Sequence, residues 1–491
     1  MRLDLLLRNA TVIDGTGAPR REATVGILGD RIAHVGAPGD TGAGDRRATR
    51  EIDLAGQVLA PGFIDAHTHD DRLLLSDPAM ACKISQGVTT VIAGNCGVSL
   101  APSAADGRAP VPPLDLLDAS GGWFRFARFA DYVQTLENAP AATNAALLIG
   151  HTALRARFMA DLQRPASEDE TAAMRAAVDE ALASGAIGVS TGLYYEPAAA
   201  ATTEEVIEVC RPLTAHRGVY CTHMRDESEG VLDSIDETLR IGRALGVPVV
   251  ISHHKVAGRA NFGRSRQTLP RIDAAMREQP VCLDCYPYAA SSTILTHGRT
   301  LIARRTLVTW SVPHPEHAGR DLTDIAQAMG LPVEETVQRL LPAGAIYFSM
   351  DEDDVQRILA YPHTMIGSDG LPHDARPHPR LWGTFARVLG HYSRDLRLFP
   401  LETAIHKMTG LTAANFGLAD RGVIREGAFA DFVVFDPDTV DEAVTFDDPI
   451  APARGIDQVW VNGACVWRDG AQTGARPGRV LRHPAARSDA P

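Results

Sequence analysis

Pro61-Gly62-Phe63-Ile64-Asp65-Ala66-His67-Thr68-His69-Asp70 opens as an apolar strand and ends in two histidines at i and i+2. On a strand that spacing sends both imidazoles to one face, and imidazole is a common zinc ligand. A bare His-x-His is more often a pair of surface or hydrogen-bonded core histidines. The rest of the chain has to supply the other half of a metal site.

Working outward, seven more apolar segments follow at 88–97, 145–152, 186–194, 218–225, 247–255, 281–288 and 364–370, after the first at 63–71. Amphipathic helical stretches such as 168–184 and 230–245 separate most of them. Eight strands alternating with helices predict an α/β chain built as a (β/α)8 TIM barrel. The alternation lapses at about 288–364, which reads as an insertion that could form a lid or pocket wall. Short β segments broken by turn signals precede the barrel, and similar ones follow it around the Asn462-Gly463 hairpin signal. The expected layout is therefore a small β domain built from both chain termini, 1–61 and 416–481, around a metal-dependent barrel at 62–415. Residues 482–491 are left as a tail.

The totals narrow the function. With 491 residues, 45% of them hydrophobic, the chain can bury a large core. A net charge of −13 argues against a nucleic-acid-binding surface. No apolar run approaches membrane-span length, and residues 1–7 lack the pattern of a signal peptide. Seven scattered cysteines form no disulfide framework and suit a reducing cytosol. The expectation is a cytoplasmic enzyme acting on a small molecule, with no nucleic-acid or membrane partner.

In such a barrel the active site forms at the carboxyl ends of the strands. His67 and His69 end strand one, Cys96 strand two, His223 strand five, His253-His254-Lys255 strand six and Asp369 strand eight. His151, Tyr194 and Tyr286 fall at other strand ends. Each alone is ordinary core packing; together at five strand ends they predict a metal site. Adjacent strand residues face opposite ways, so His253 and Lys255 are expected inside and His254 outside. Thiolate and imidazole ligands favour zinc over a hard cation. Zinc generates a hydroxide nucleophile near neutral pH, and Asp369 is the natural proton carrier. That set fits hydrolysis at an sp2 carbon.

The chain resembles the amidohydrolase superfamily in its PGFIDAHTH strand, its later histidines and its aspartate after strand eight. Many binuclear members carry a lysine after strand four; here 186–193 has none, and Gly94-Asn95-Cys96-Gly97 offers a thiolate instead. That substitution resembles the N-acyl-D-amino-acid deacylase (D-aminoacylase) family. Further matching strings are Ser190-Thr191-Gly192-Leu193-Tyr194-Tyr195-Glu196-Pro197, Thr222-His223-Met224-Arg225-Asp226-Glu227, Gly367-Ser368-Asp369-Gly370 and Pro377-His378-Pro379-Arg380. The resemblance implies a tight zinc on Cys96, His223 and His253, and a weaker second site on His67, His69 and shared Cys96. Asp369 is implied as general base and then acid.

The resemblance also implies an N-acyl-D-amino acid as substrate. Its carboxylate would meet Lys255, Tyr286, Ser292 and Arg380, and a guanidinium can grip a carboxylate with two bonds. The side-chain pocket positions look like Tyr194, Leu301, Tyr347 and Met350, which favours D-Met, D-Leu or D-Phe. Arg299, Arg304 and Arg305 lie close by in the insertion and keep D-Glu or D-Asp open. The other readings are a cyclic amidohydrolase or deaminase of the same superfamily, and a retired barrel serving as a scaffold.

Overall fold

The structure, a computed structural model, describes residues 2–40, 48–104 and 109–482. Beyond Arg482 the expected tail lies outside these residues, as does the 41–47 part of the Gly/Asp/Ala-rich bend.

Eight parallel strands form the centre: β1 Phe63–Asp65, β2 Val88–Ala93, β3 Asn144–Gly150, β4 Gly188–Gly192, β5 Val219–His223, β6 Val249–Ile251, β7 Val281–Cys285 and β8 Thr364–Ile366. They hydrogen-bond in sequence order from β1 round to β8. Ala66 N donates to Ile366 O, and a parallel bridge joins Thr68 to Gly370, which draws the two edge strands together. Period-two alternation sorts the side chains. Ile64, Ile92, Ala146, Leu148, Val250 and Met365 fill the interior, while Phe63, Leu147 and Ile149 face the surrounding helices.

Each strand is shorter than the apolar run that announced it. β1 stops at Asp65 and β6 at Ile251. The histidines expected on those strands therefore sit in the loops beyond them, and strand alternation does not set where they point.

Both chain ends contribute to one nine-stranded sheet. The joint is the antiparallel pairing of Val58–Pro61 with Phe432–Phe435. A separate apolar core of Leu5, Leu7, Val25, Leu59, Phe432 and Trp460 holds it. Val480–Leu481 leaves this sheet and pairs in parallel with the start of β3, so the chain returns to the barrel. Between β7 and β8 the insertion folds as a three-stranded sheet (Ser291–Ile294, Thr306–Ser311, Ala343–Tyr347) backed by helices Leu322–Met329 and Val333–Leu340. Among the described residues no helix is long and apolar enough to cross a membrane.

Candidate active site

Cys96 stands at the centre of the strand ends. Its Sγ is 3.2 Å from His67 Nε2 and 3.2 Å from His253 Nε2, and His253 Nε2 is 3.0 Å from His223 Nδ1. On the other side His69 Nε2 lies 3.2 Å and His67 Nε2 3.6 Å from Asp369 Oδ1. Two triads of ligand atoms, His67–His69–Cys96 and Cys96–His223–His253, each fall within 4.8 Å, and both use the same sulfur.

The backbone pays for this convergence. Cys96 (φ 54°), His253 (φ 37°) and Asp369 (φ 50°) all occupy the left-handed region. Such residues cost about 1–3 kcal/mol each and persist where the surroundings over-determine them. The cysteine loop is clipped from β4: Ser190 Oγ accepts from Gly97 N at 2.9 Å and donates to the Gly94 carbonyl. Gly94 has to be glycine, because a Cβ there would sit 2.1 Å from the Leu148 carbonyl. Asp369 is fixed by its own N–H, which donates to the His67 carbonyl at 2.8 Å.

The donor set fits zinc. At a tetrahedral zinc with bonds of about 2.3 Å to sulfur and 2.0–2.1 Å to nitrogen, neighbouring ligand atoms stand about 3.3–3.6 Å apart. The contacts here are a few tenths of an ångström tighter, around a buried thiol and buried imidazoles. Burial holds the His223 imidazole well below its usual range and His67 at about 3, so both stay neutral and able to ligate. Burial and then Asp369 push the Cys96 thiol up. A thiol held protonated among basic nitrogens is the site a thiophilic cation would deprotonate.

Asp369 is buried, which raises its carboxyl. The Arg380 guanidinium, helped by the His69 hydrogen bond, outweighs that and holds it well below the usual carboxylate range. Arg380 Nη1 is 2.9 Å from Asp369 Oδ2. The Tyr286 ring is near two cations, 4.5 Å from the Arg380 guanidinium carbon and 5.6 Å from Lys255 Nζ. Its hydroxyl is buried without a hydrogen-bond partner among the described residues. Ser292 lines the same narrow cavity.

His254, as expected, turns away, with Nε2 2.9 Å from Thr268 Oγ1. His151, at another strand end, is buried beside Glu205 and takes no part in the cluster. The four side-chain pocket positions do not line this cavity. Leu301 is 71% exposed on the helix His297–Ile302, which turns it to solvent and corrects its expected place. Met350 packs with Tyr286 and Tyr288, the Tyr347 hydroxyl is tied to Ile294 O and Thr296 N, and Tyr194 carries Arg299 4.1 Å above its ring. Arg299 itself, 8% exposed, does line the cavity; among the described residues it has no carboxylate in ion-pair range.

Three residues packed at or beside the cluster escaped the sequence reading. Glu227, four positions after His223, faces His253, His223 and Lys255. Asp284, a lone carboxylate inside an apolar strand, accepts from His253 N at 2.8 Å and lies 3.4 Å from His67 Nδ1. Burial first of all raises its carboxyl to about 7. Lys83, one of only three lysines, is fully buried and reaches Asp65 (2.9 Å), Asp70 (3.3 Å) and Ser368 (2.9 Å). It ties the end of β1 to the loop carrying Asp369. Of the three arginines expected near the pocket, Arg299 is the one that lines this cavity.

Residues 50–281 and 321–467 match the model of the family described as Amidohydrolase family. The D-aminoacylase of Alcaligenes xylosoxydans xylosoxydans is 61% identical over 98% of this chain and 98% of its own length. The chain belongs to the amidohydrolase family. Within it the chain falls in the D-aminoacylase branch: a crystal structure of D-aminoacylase superposes with TM-score 0.94 at 61% identity, covering 98% of this chain and all of the other. This amidohydrolase is also similar to an N-acyl-D-glutamate deacylase from Bordetella bronchiseptica, solved with zinc and a phosphonate mimic of the tetrahedral intermediate. There the identity is 45%, the TM-score 0.92 and the coverage 98% and 100%.

Proposed function

We propose that this amidohydrolase hydrolyses the amide bond of N-acyl-D-amino acids, releasing a carboxylate and a free D-amino acid. The observation that carries the reading is the shared sulfur: Cys96 within 3.2 Å of imidazoles from both triads, with Asp369 at their edge. The similarity to D-aminoacylase over nearly the whole chain supports the substrate class.

Cys96, His223 and His253 would hold the tight zinc, and His67 and His69 with Cys96 a weaker second one. When bound, zinc lowers the pKa of a water molecule and polarises a carbonyl. The chain's own residues do the rest. Asp369 Oδ1 faces the two imidazoles and takes the proton of the attacking water; it then returns the proton to the leaving nitrogen. Arg380, Lys255 and the free Tyr286 hydroxyl grip the substrate carboxylate, setting the scissile carbonyl against the centre. Ser292 adds a hydroxyl on the same wall. The seven free thiols suit a cytoplasmic protein.

Leu116, Leu371 and Tyr195 supply apolar surface in the cavity and support a D-Met, D-Leu or D-Phe side chain. A second reading, an acidic side chain, is favoured by Arg299, a buried cation in the same wall with no carboxylate in ion-pair range among the described residues. A cyclic-amide or deaminase reading is weakened by the absence of a lysine at β4 and by three carboxylate-gripping side chains. Release of amino acid from N-acetyl-D-methionine, with hydantoin and adenine unchanged, is the expected outcome of an assay run side by side. Turnover of only the cyclic substrates would overturn the proposal.

A further inference from the structure

Glu227 has no part in the mechanism above, yet its two oxygens are aimed at the two histidines of the tight triad. Oε1 lies 3.1 Å from His253 Nδ1 and Oε2 3.5 Å from His223 Nε2. On each ring the opposite nitrogen, Nε2 of His253 and Nδ1 of His223, points to its counterpart 3.0 Å away. The rings thus use different atoms toward the centre, and one carboxylate lies near the remaining atom of both; at His223 Nε2, which has no hydrogen-bond partner among the described residues, the approach stops short of a hydrogen bond. A neutral imidazole has a single N–H. An acceptor on the outward nitrogen keeps that proton there and leaves the inward lone pair free for a cation.

Lys255 competes for the same place. Its Nζ is 2.6 Å from His253 Nδ1 and 2.7 Å from Glu227 Oε1. An ammonium can only donate, so a bond from Lys255 to His253 Nδ1 would put the ring proton on the inward Nε2. With a cation on Nε2, Nδ1 must donate to Glu227, and Lys255 is left for the substrate carboxylate.

We propose that Glu227 is a positioning residue for the metal: one carboxylate that selects the ligating nitrogen of both His253 and His223. The inference rests on the zinc reading of the proposed function.

The test is zinc affinity, measured on metal-stripped protein by competition with a chromophoric chelator. Glu227→Gln should weaken zinc binding about 10- to 100-fold while its thermal melting stays near that of the unsubstituted protein. Its cobalt-substituted visible spectrum should change as well. A zinc affinity within twofold of the original would overturn the proposal. Glu227 could instead serve only as counter-ion to Lys255; then the double variant Glu227→Gln/Lys255→Met would recover the original affinity, which also overturns it. Should Glu227→Gln not fold, Glu227→Asp is read by the same criterion: weaker zinc in a folded protein supports the role, unchanged zinc refutes it. If the unsubstituted protein itself binds no zinc, the proposed function fails; if it binds and Glu227→Gln binds equally well, only this inference fails.

Discussion

Arg380 Nη1 lies 2.9 Å from Asp369 Oδ2, and the same guanidinium donates through Nη2 to the Ser292 carbonyl 3.0 Å away. One buried cation therefore joins Asp369, the proton carrier of the proposed function, to the Ser292 segment of the cavity wall, the side proposed to meet the substrate carboxylate. Asp369→Ala should lower turnover about 100- to 10,000-fold, with zinc content by metal analysis near the original. Loss of metal instead would make Asp369 mainly a ligand.

Arg380→Lys keeps the charge but loses the planar fork. It should raise KM for N-acetyl-D-methionine about 10-fold or more, since charge-assisted bonds contribute about 1.5–3 kcal/mol. Steady-state kinetics separates KM from kcat; an unchanged KM would remove Arg380 from carboxylate binding.

Arg299 separates the two readings of the substrate side chain. If its buried guanidinium receives an acidic group, Arg299→Met should cut kcat/KM for N-acetyl-D-glutamate about 10-fold or more and leave N-acetyl-D-methionine within a few-fold. Equal effects on both would leave the apolar reading alone.

Lys83 holds two buried aspartates at the end of β1. Lys83→Met leaves them without their cation and should destabilise the fold by about 3–5 kcal/mol, read by urea denaturation. Asp65→Asn in the same chain should recover part of that loss.

Burial depresses the Lys407 ammonium from 10.5 to about 7. Below pH 7 both folded and unfolded chains carry the proton. Between pH 7 and 10.5 only the unfolded chain does, so this lysine's contribution to stability rises with pH there. The stability difference between the unsubstituted protein and Lys407→Met should move in favour of the lysine as pH climbs through that window.

The barrel was legible in the sequence because period-two apolar runs must recur eight times to close it, and Ile64, Leu148 and Met365 do fill its interior. The ends of those runs were misread. His67 and His253 lie past β1 and β6, and left-handed backbone at Cys96, His253 and Asp369 aims their side chains. No residue pattern announces that conformation outside glycine. Glu227 and Asp284 act through groups brought close only by folding. Leu301 shows the opposite failure: a position matched in sequence, on a helix that the fold turns to solvent.

The most direct measurement is stereochemical. Zinc-loaded protein is given N-acetyl-D-methionine and N-acetyl-L-methionine separately, and free methionine is quantified, with a chelator-stripped sample in parallel. The account predicts release from the D substrate alone and its loss on stripping, restored by added zinc. Release from the L substrate at a comparable rate, or full activity after stripping, would contradict it.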